Sequence, residues 1–299
     1  MSSAETDNVN TADLQKLILK WYRDKQRDLA WRKPGTSPWG VLVSETMLQQ
    51  TPVNRVEPEW ISWMDRWPTP EDLANATAAD MIRAWGRMGY PRRALRLHES
   101  AKMIVERFDG EVPANYDKLR ELPGVGDYTA SAVLAFAFGQ RAVVLDTNVR
   151  RVFARLDGDP DATSSAPTKV EREFGEKLLP SQPKRAATWS VAVMELGSLV
   201  CTARTPRCGE CPVAQQCDWF AKGEPLPAGP SRKPQKYEGS DRQVRGLIMH
   251  ELRESRAPVP LKKIESLWQD QLQLHRALDG LVADGLVEPL SRKRYQLPS

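Results

Sequence analysis

The chain has 299 residues, of which 40% are hydrophobic, and this is enough for one large domain or two ordinary ones with a packed core. No run of about 18 apolar residues occurs and the first ten residues are polar and acidic, so we expect neither membrane spanning nor secretion. The net charge of +4 lies entirely in residues 232–299, and so mild an excess permits a phosphate-bearing partner without requiring one.

Residues 11–222 are predicted to be almost entirely helical, because apolar positions recur every three or four residues and strand-like alternation is nearly absent. Leu14, Leu17, Ile18 and Trp21 form one such stripe. Clusters of Pro and Gly predict the loops between helices, at 33–39, 67–70 and 158–167. We therefore expect an all-α fold.

A short glycine hairpin, Leu122-Pro-Gly-Val-Gly126, follows a predicted helix that ends near Glu121 and precedes an apolar helix from Tyr128 to Phe138. Its two glycines allow a sharp turn that aims backbone amides and a helix N-terminus at an anion, for which a DNA phosphate is a natural candidate. A lone Gly-x-Gly is far more often an ordinary tight turn, so the surrounding motifs must decide.

All four cysteines lie within seventeen residues, at Cys201, Cys208, Cys211 and Cys217. Four thiolates in a short loop can hold a cubane iron–sulfur cluster or one zinc ion. Zinc sites usually pair two Cys-x-x-Cys hooks and only one is present here, whereas disulfides do not suit a chain expected in a reducing compartment. The spacing favours an iron–sulfur cluster.

The C-terminal part is predicted to be a separate small module. Residues 223–240 are rich in Pro, Gly and Lys and predict a linker. Three helices are then expected, from Val244 to Leu252, Leu261 to Trp268 and Leu272 to Val282, followed by a hairpin within 287–296. This order is that of a winged helix-turn-helix, although a small helical packing module is equally compatible with the pattern.

The motifs Ser44-Glu-Thr-Met-Leu-Gln-Gln-Thr51, Leu122–Gly126 and Leu145-Asp-Thr-Asn-Val149, followed by the cysteine loop, resemble the helix-hairpin-helix DNA glycosylases, most closely the MutY-type adenine glycosylases. The resemblance spans about residues 12–222. It implies one 4Fe-4S cluster on Cys201, Cys208, Cys211 and Cys217. The tail at 1–10 is expected to be disordered, and the linker (223–240) and the winged-helix-like module (241–299) follow from the sequence pattern given above. The resemblance also implies a catalytic core (11–222). Within the core, it implies a helical barrel at about 30–140 with the hairpin motif at 119–138, and an iron–sulfur lobe from 11–29 and 141–222.

Three residues match the family's catalytic positions. Asp146 would stabilise the sugar cation that develops as a purine leaves, and Glu45 would protonate the departing adenine. Tyr128 stands where related bifunctional enzymes carry a lysine nucleophile, so base release without lyase activity is implied. Glu45 and Asp146 also admit structural roles, the first at an expected helix start beside Ser44 and the second as a cap of a helix beginning at Thr147.

Other matches concern the flipped base and the duplex. Trp31 and Arg32 match residues of the adenine pocket, and the expected wedge and DNA contacts are Gln49, Gln50, Thr51, Met88, Tyr90, Pro123, Gly124, Val125 and Gly126. Trp31, Met88 and Tyr90 could equally be core residues. Further arginines are candidate phosphate contacts, although a solvated helix face explains them equally well; they are Arg92, Arg93, Arg150, Arg151 and Arg155.

The function implied is removal of adenine mispaired with 8-oxoguanine or guanine in double-stranded DNA, by a monomer in the cytoplasm near the nucleoid. The alternatives are a thymine or uracil mismatch glycosylase and a non-enzymatic iron–sulfur DNA-binding regulator.

Two features depart from the family. Val191 replaces a polar residue that contacts adenine in many relatives, and the C-terminal segment is too short for the usual reader of 8-oxoguanine, so we expect it to hold duplex through phosphate contacts.

Overall fold

The structure, a computed structural model, describes residues 10–159, 166–225 and 236–299. The predicted tail falls outside this range up to residue 9, as do residues 160–165 of one predicted loop and residues 226–235 of the predicted linker. The described residues are mostly helical with three short strands, which confirms the all-α class with a small C-terminal winged module. None of the described helices is both long and apolar enough to cross a membrane.

The elements follow one another in chain order. The helices are α1 (Thr11–Lys25), α2 (Pro38–Leu48), α3 (Val53–Arg66), α4 (Pro70–Ala74), α5 (Ala78–Trp85), α6 (Arg92–Arg107), α7 (Tyr116–Glu121), α8 (Asp127–Phe138), α9 (Thr147–Leu156), α10 (Lys169–Leu178), α11 (Pro183–Leu199), α12 (Asp218–Ala221), α13 (Asp241–Glu254), α14 (Leu261–Glu265) and α15 (Gln271–Ala283). The strands are β1 (Val259–Pro260), β2 (Glu288–Leu290) and β3 (Arg294–Gln296).

These elements form two compact units. The first contains the described residues within 1–42, 114–121 and 125–230, and the second those within 43–113, 122–124 and 231–299. The C-terminal module therefore belongs to the same unit as helices α3 to α6, a grouping that the linker composition did not indicate. The predicted domain boundaries themselves stay a prediction.

The first unit is built around α11, which packs against α1, α8 and α9. Leu14 and Ile18 of the predicted stripe are fully buried there, with Trp189 and Leu196 of α11. Gly197 allows α9 to approach closely, because a Cβ at this position would lie 2.8 Å from the Cβ and carbonyl oxygen of Asn148. This close crossing fixes the N-terminus of α9, where Asp146 lies.

The second unit packs α4 and α5 against α6, and three tryptophans fill its interior. The ring of Trp63 meets Trp67 and Trp85 edge to face, with centroids 4.8 and 5.5 Å away. In the C-terminal module α13 packs against α15, and the sheet has the antiparallel order β1-β3-β2. The three helices and the hairpin were expected from the sequence, whereas the two-residue strand β1 was not.

The expected helix start at Ser44 is wrong. Helix α2 begins at Pro38, and Ser37 precedes it, its hydroxyl accepting a hydrogen bond from the amide of Gly40 at 3.1 Å. The apolar residues from Trp39 to Val43 extend the helix toward its N-terminus because they are buried. Glu45 therefore lies in the interior of a helix, where no free amides remain for a capping carboxylate.

Candidate active site

Asp146 is the N-cap of α9, as the sequence predicted. Its Oδ1 accepts a hydrogen bond from the amide of Val149 at 2.7 Å, and its Oδ2 accepts one from the Asn148 side chain at 2.8 Å. Burial raises the pKa of Asp146 above the ordinary value of 3.8, and these two hydrogen bonds act in the opposite direction. A poorly solvated carboxylate of this kind stabilises a nearby positive charge more strongly than one in water does.

The other predicted catalytic side chains lie in different parts of the chain. Tyr128 is in the first turn of α8, half-buried against a small cluster that includes Ala132 and Val144. Glu45 is buried in α2, only 5% exposed, and belongs to the second unit, whereas Tyr128 and Asp146 belong to the first.

An acidic residue that the sequence reasoning missed, Glu195 on α11, anchors the predicted adenine pocket. Its side chain is fully buried. Arg27 donates to both carboxylate oxygens, at 2.8 and 2.7 Å, and Arg32 donates to Oε2 at 2.9 Å. Burial raises the pKa of Glu195, but the hydrogen bonds and charges of the two arginines outweigh it and lower the pKa to about 2. Glu195 is therefore ionised at neutral pH and fixes Arg32.

Arg32 retains one free donor. Its Nη1 is buried and has no hydrogen-bond partner among the described residues, and Trp31 beside it is buried as well. A buried unpaired donor is costly unless a ligand supplies an acceptor. Since Arg32 was predicted to line the adenine pocket, this donor suits an acceptor nitrogen of a purine ring.

Arg93 joins two loops that carry the predicted wedge residues. Loop A comprises residues 49–52, between α2 and α3, and loop B comprises residues 86–91, between α5 and α6. Arg93 is buried, with 8% of its surface exposed. Its guanidinium donates to backbone oxygens of both loops. It reaches the carbonyl of Gln49, the hydroxyl of Thr51 at 2.9 Å and the carbonyl of Gly89 at 3.1 Å. It also donates to the carbonyls of Thr46 and Met47, both at 3.0 Å, at the end of α2.

The tips of both loops are residues in left-handed backbone conformations. Gln50 has φ 57° and is exposed, and Tyr90 has φ 46° and is 52% exposed. Such a conformation costs a non-glycine residue about 1 kcal/mol or more and persists where neighbouring contacts enforce it. Thr51 and Met88 are buried beneath them, and the Thr51 hydroxyl donates to the Met88 carbonyl at 3.2 Å.

The glycine hairpin has the geometry that its sequence predicts. Gly124 has φ 83°, and a side chain there would also meet the Arg96 side chain at 3.1 Å, so glycine is required twice over. The hairpin carbonyls are fixed locally: Ser100 donates to Pro123 at 2.7 Å, and Arg120 donates to Val125 at 2.6 Å. Gly126 is the N-cap of α8 and has no side chain to cap the helix, so the positive end of the helix dipole suits an anion.

Four of the five arginines proposed as phosphate contacts are buried and have structural partners instead. Arg93 holds the loops just described, and Arg150 forms an ion pair with Glu171 at 2.7 Å. Arg151 donates to the carbonyls of Gly197 and Cys201, both at 2.7 Å. Arg155 donates to the carbonyl of Thr202 at 2.9 Å and lies over the Trp219 ring. Only Arg92 is exposed, and it pairs with Asp284.

The cysteine loop fits a bound cluster. Cys201, Cys211 and Cys217 pack against the core of the first unit, and Arg155 donates to the Cys201 sulfur at 3.3 Å. Burial, with the nearby thiols, raises the pKa of Cys208 and Cys217 and raises that of Cys211 to about 12. Thiols of this kind ionise readily only when metal ions replace their protons, so the donor set suits a bound metal group.

Within the described residues, no group of three or more His, Cys, Asp or Glu side chains is close enough to hold a single metal ion. A cubane cluster does not need such a group, because each of its four cysteines binds a different iron atom.

Comparisons with known families agree with this geometry. Residues 43–180 match the HhH-GPD superfamily of base excision DNA repair proteins, and residues 201–217 match the iron–sulfur binding domain of endonuclease III. A solved thermostable thymine-DNA glycosylase superposes with a TM-score of 0.65 at 27% identity, over 71% of this chain and 97% of that one. A solved endonuclease III–DNA complex superposes with a TM-score of 0.60 over 70% of this chain and 94% of that one; at 24% identity it shows the fold alone. The fold and the cysteine motif thus define a DNA glycosylase of the helix-hairpin-helix class with one 4Fe-4S cluster.

A curated relative specifies the family further. The adenine DNA glycosylase of Mycolicibacterium smegmatis is 49% identical over 283 residues, which cover 94% of this chain and 94% of that protein. The chain belongs to the adenine DNA glycosylase family. The resemblance and the cluster expected from the motifs are confirmed, whereas the roles of the individual site residues stay predictions.

Proposed function

We propose that this protein removes adenine mispaired with 8-oxoguanine or guanine from double-stranded DNA, acts as a monomer and leaves an abasic site without cutting the strand. The observation that carries the proposal is the similarity along nearly the whole chain to a relative named as an adenine DNA glycosylase. The half-buried and hydrogen-bonded Asp146 and the free donor of Arg32 support it.

The proposed reaction divides the chemistry between two carboxyl groups. Glu45 protonates the adenine ring, so that the base leaves as a neutral molecule. Asp146 faces the deoxyribose and stabilises its developing positive charge, and water then completes hydrolysis. Since the Tyr128 phenol cannot form a Schiff base, the abasic sugar is released uncut. When bound, the cluster holds the cysteine loop in place.

The proposed recognition uses loops A and B. Extruding a nucleotide leaves a gap in the base stack, and Gln50 and Tyr90 are displayed at the loop tips in a form that can fill it. The amides after Gly126 bind the DNA backbone. Val191 is partly buried against the core of the first unit, so its apolar side chain offers no hydrogen bond to the base.

The test is single-turnover base release from end-labelled duplexes, with abasic sites revealed by heat and alkali. Wild-type protein should release adenine opposite 8-oxoguanine and guanine and should leave no cut without the heat step. Glu45→Gln and Asp146→Asn should each lower the rate at least about a hundredfold with duplex binding retained. Glu106→Gln, an exposed Glu-to-Gln change at the far end of α6, is the matched control.

A thymine or uracil glycosylase is the second candidate, because the thymine-DNA glycosylase structure is similar. Duplexes with thymine or uracil opposite guanine belong in the same panel. Release of these bases in preference to adenine would replace the proposal, and strand cutting without heat would refute its monofunctional part. Sedimentation of the free protein and of the DNA complex tests the monomer.

A further inference from the structure

The C-terminal module has the element order and the sheet of a winged helix. Helix α13 is followed by β1, α14, α15 and the β2–β3 hairpin, and β3 lies between the other two strands. In helix-turn-helix modules the second helix of the motif, here α15, enters the major groove of DNA. The β2–β3 turn, residues 291–293, is the wing. Both elements are candidates for contact with a nucleic acid.

The basic side chains of α15, and Gln273 beside them, have partners within the module. Arg276 binds Asp241 through two nitrogens, at 2.8 and 3.2 Å, and Gln273 donates to the same carboxylate at 2.9 Å. His275 lies 3.3 Å from Glu265. Both basic residues of α15 therefore already face a carboxylate, and Leu272 of the same helix exposes an apolar side chain, at 85%. This surface offers little to a phosphate backbone.

The wing has the opposite character. Arg292 has φ 59° and Lys293 has φ 51°, so two successive non-glycine residues are left-handed. Turns of this kind favour Asn, Asp and Gly, because these residues tolerate the conformation. Both side chains are exposed, and within the described parts of the chain neither forms an ion pair. The turn thus carries two positively charged side chains at positions where the left-handed backbone would favour Asn, Asp or Gly.

Two further cations lie beside the wing. The amide of Leu261 donates to the Lys293 carbonyl at 2.8 Å, which places the start of α14 and the exposed Lys262 next to the turn. Arg294 follows the wing, and its Nε donates only to the carbonyl of Ser291, at 3.4 Å. This end of the module therefore carries four positive charges, on Lys262, Arg292, Lys293 and Arg294, with no carboxylate paired to them among the described residues.

We propose that this wing cluster, Lys262 and Arg292–Arg294, binds the phosphate backbone of duplex DNA without reading its sequence, while α15 does not enter a groove. The charge of the cluster complements a phosphate backbone, and the module lies in the same unit as loop B. Asp284, which ends α15, pairs at 3.1 Å with Arg92, two residues after Tyr90. Wing and wedge thus belong to one unit and can engage one duplex. The inference rests on DNA binding by the family and not on the choice of adenine.

The decisive variant is Arg292→Asn/Lys293→Gly in the full-length chain, because Asn and Gly suit left-handed positions and preserve the turn. The measurement is the dissociation constant of an undamaged duplex over a salt series. The slope of log affinity against log salt should fall by about 0.9 for each lost phosphate contact, and affinity at physiological salt should fall about tenfold. The single-turnover rate at saturating protein should not change, which separates this inference from the catalytic proposal.

The matched control is Lys16→Gln/Lys20→Gln, which removes two exposed positive charges from α1. An unaltered salt slope in the wing variant, or an equal loss in wing variant and control, would overturn the inference. A second variant, Arg276→Gln, tests the helix. It should leave the slope unchanged, and a loss larger than that of the wing variant would assign the contact to α15 instead.

Discussion

Glu195 shows that the burial of a residue can be predicted from its sequence neighbours, whereas its ion-pair partners cannot. It is the only charged side chain of α11 after Arg185, among residues that are otherwise small or apolar. An isolated acid in such a stretch indicates a buried carboxylate that needs a cation, so the sequence could have pointed to Glu195. The sequence could not identify the arginine partners of Glu195, because Arg27 lies 168 positions away in the chain and no local motif connects the two residues. The arginines of α9 were misjudged for the same reason, since a buried arginine and a phosphate-binding one look alike in a sequence.

The ion pairs of Glu195 make a pH-dependent prediction. The pKa of Glu195 is lowered to about 2 from an ordinary 4.5, so the carboxylate stabilises the folded state fully above about pH 4.5 and loses this contribution as the pH falls toward 2. Glu195→Gln should therefore lower the free energy of unfolding at pH 7 by roughly 3 kcal/mol. The gap between variant and wild type should narrow steadily below pH 4.5.

Urea unfolding at a series of pH values measures this gap. Glu210→Gln, on the exposed side of the cysteine loop, is the control and should differ little from wild type at any pH. If the difference in the free energy of unfolding between variant and wild type stays constant from pH 7 to pH 3, the charge of Glu195 does not stabilise the fold and its side chain contributes only by packing.

At the scale of elements, apolar periodicity predicted which segments are helical, but it did not predict where each helix begins. The helices of the C-terminal module and the hairpin were expected where they occur, because each buries an apolar stripe. The start of α2 was misplaced by six residues, since Trp39–Val43 are apolar on every face and give no periodic signal. Loops A and B could be predicted as separate motifs. Their connection through Arg93 could not, because it depends on carbonyl positions that no sequence motif records.

Arg93 is therefore predicted to be a positioning residue for both loops. Arg93→Met removes donors to five oxygens and should lower stability by about 3 kcal/mol, which corresponds to a melting temperature roughly 6–12 °C lower for a protein of this size. It should also reduce base extrusion, because Gln50 and Tyr90 would no longer be held in their left-handed conformations. Arg93→Lys keeps the charge but not the planar fork and should recover only part of both properties.

Thermal unfolding and the fluorescence of 2-aminopurine in place of the target adenine report these two effects separately. Arg107→Gln, at the opposite end of α6, is the matched arginine control. If Arg93→Met lost stability but extruded the base as well as wild type, the residue would be structural only, and its assigned role in positioning the loops would be wrong.

At the scale of the whole chain, the linker composition predicted a separate C-terminal module, whereas the structure groups the described part of this segment with α3 to α6 in the second unit. Two contacts attach the module there. Arg83 of α5 donates to the Ser255 carbonyl at 3.4 Å, and Asp284 accepts from Arg245 at 2.5 Å while pairing with Arg92. Neither contact has a sequence signature, because each depends on how surfaces distant in the chain meet. Asp284 thus connects the last helix of the module to the base of loop B.

This connection leads to a prediction about loop B. Asp284→Asn removes the charge that Arg92 and Arg245 share, and because the pair is partly exposed the loss of global stability should be only about 1 kcal/mol. Its main effect should be local, since opening of a loop depends on the contacts at its base. Hydrogen exchange at the amides of residues 87–90 and 92 should accelerate about fivefold, while exchange in the interior of α3 stays as in wild type. Asp279→Asn, exposed on the same helix and without an ion pair among the described residues, should leave both regions unchanged. If exchange in loop B is equally slow in Asp284→Asn and wild type, the module and the loop are independent, and the wing would then contact DNA without assisting Tyr90.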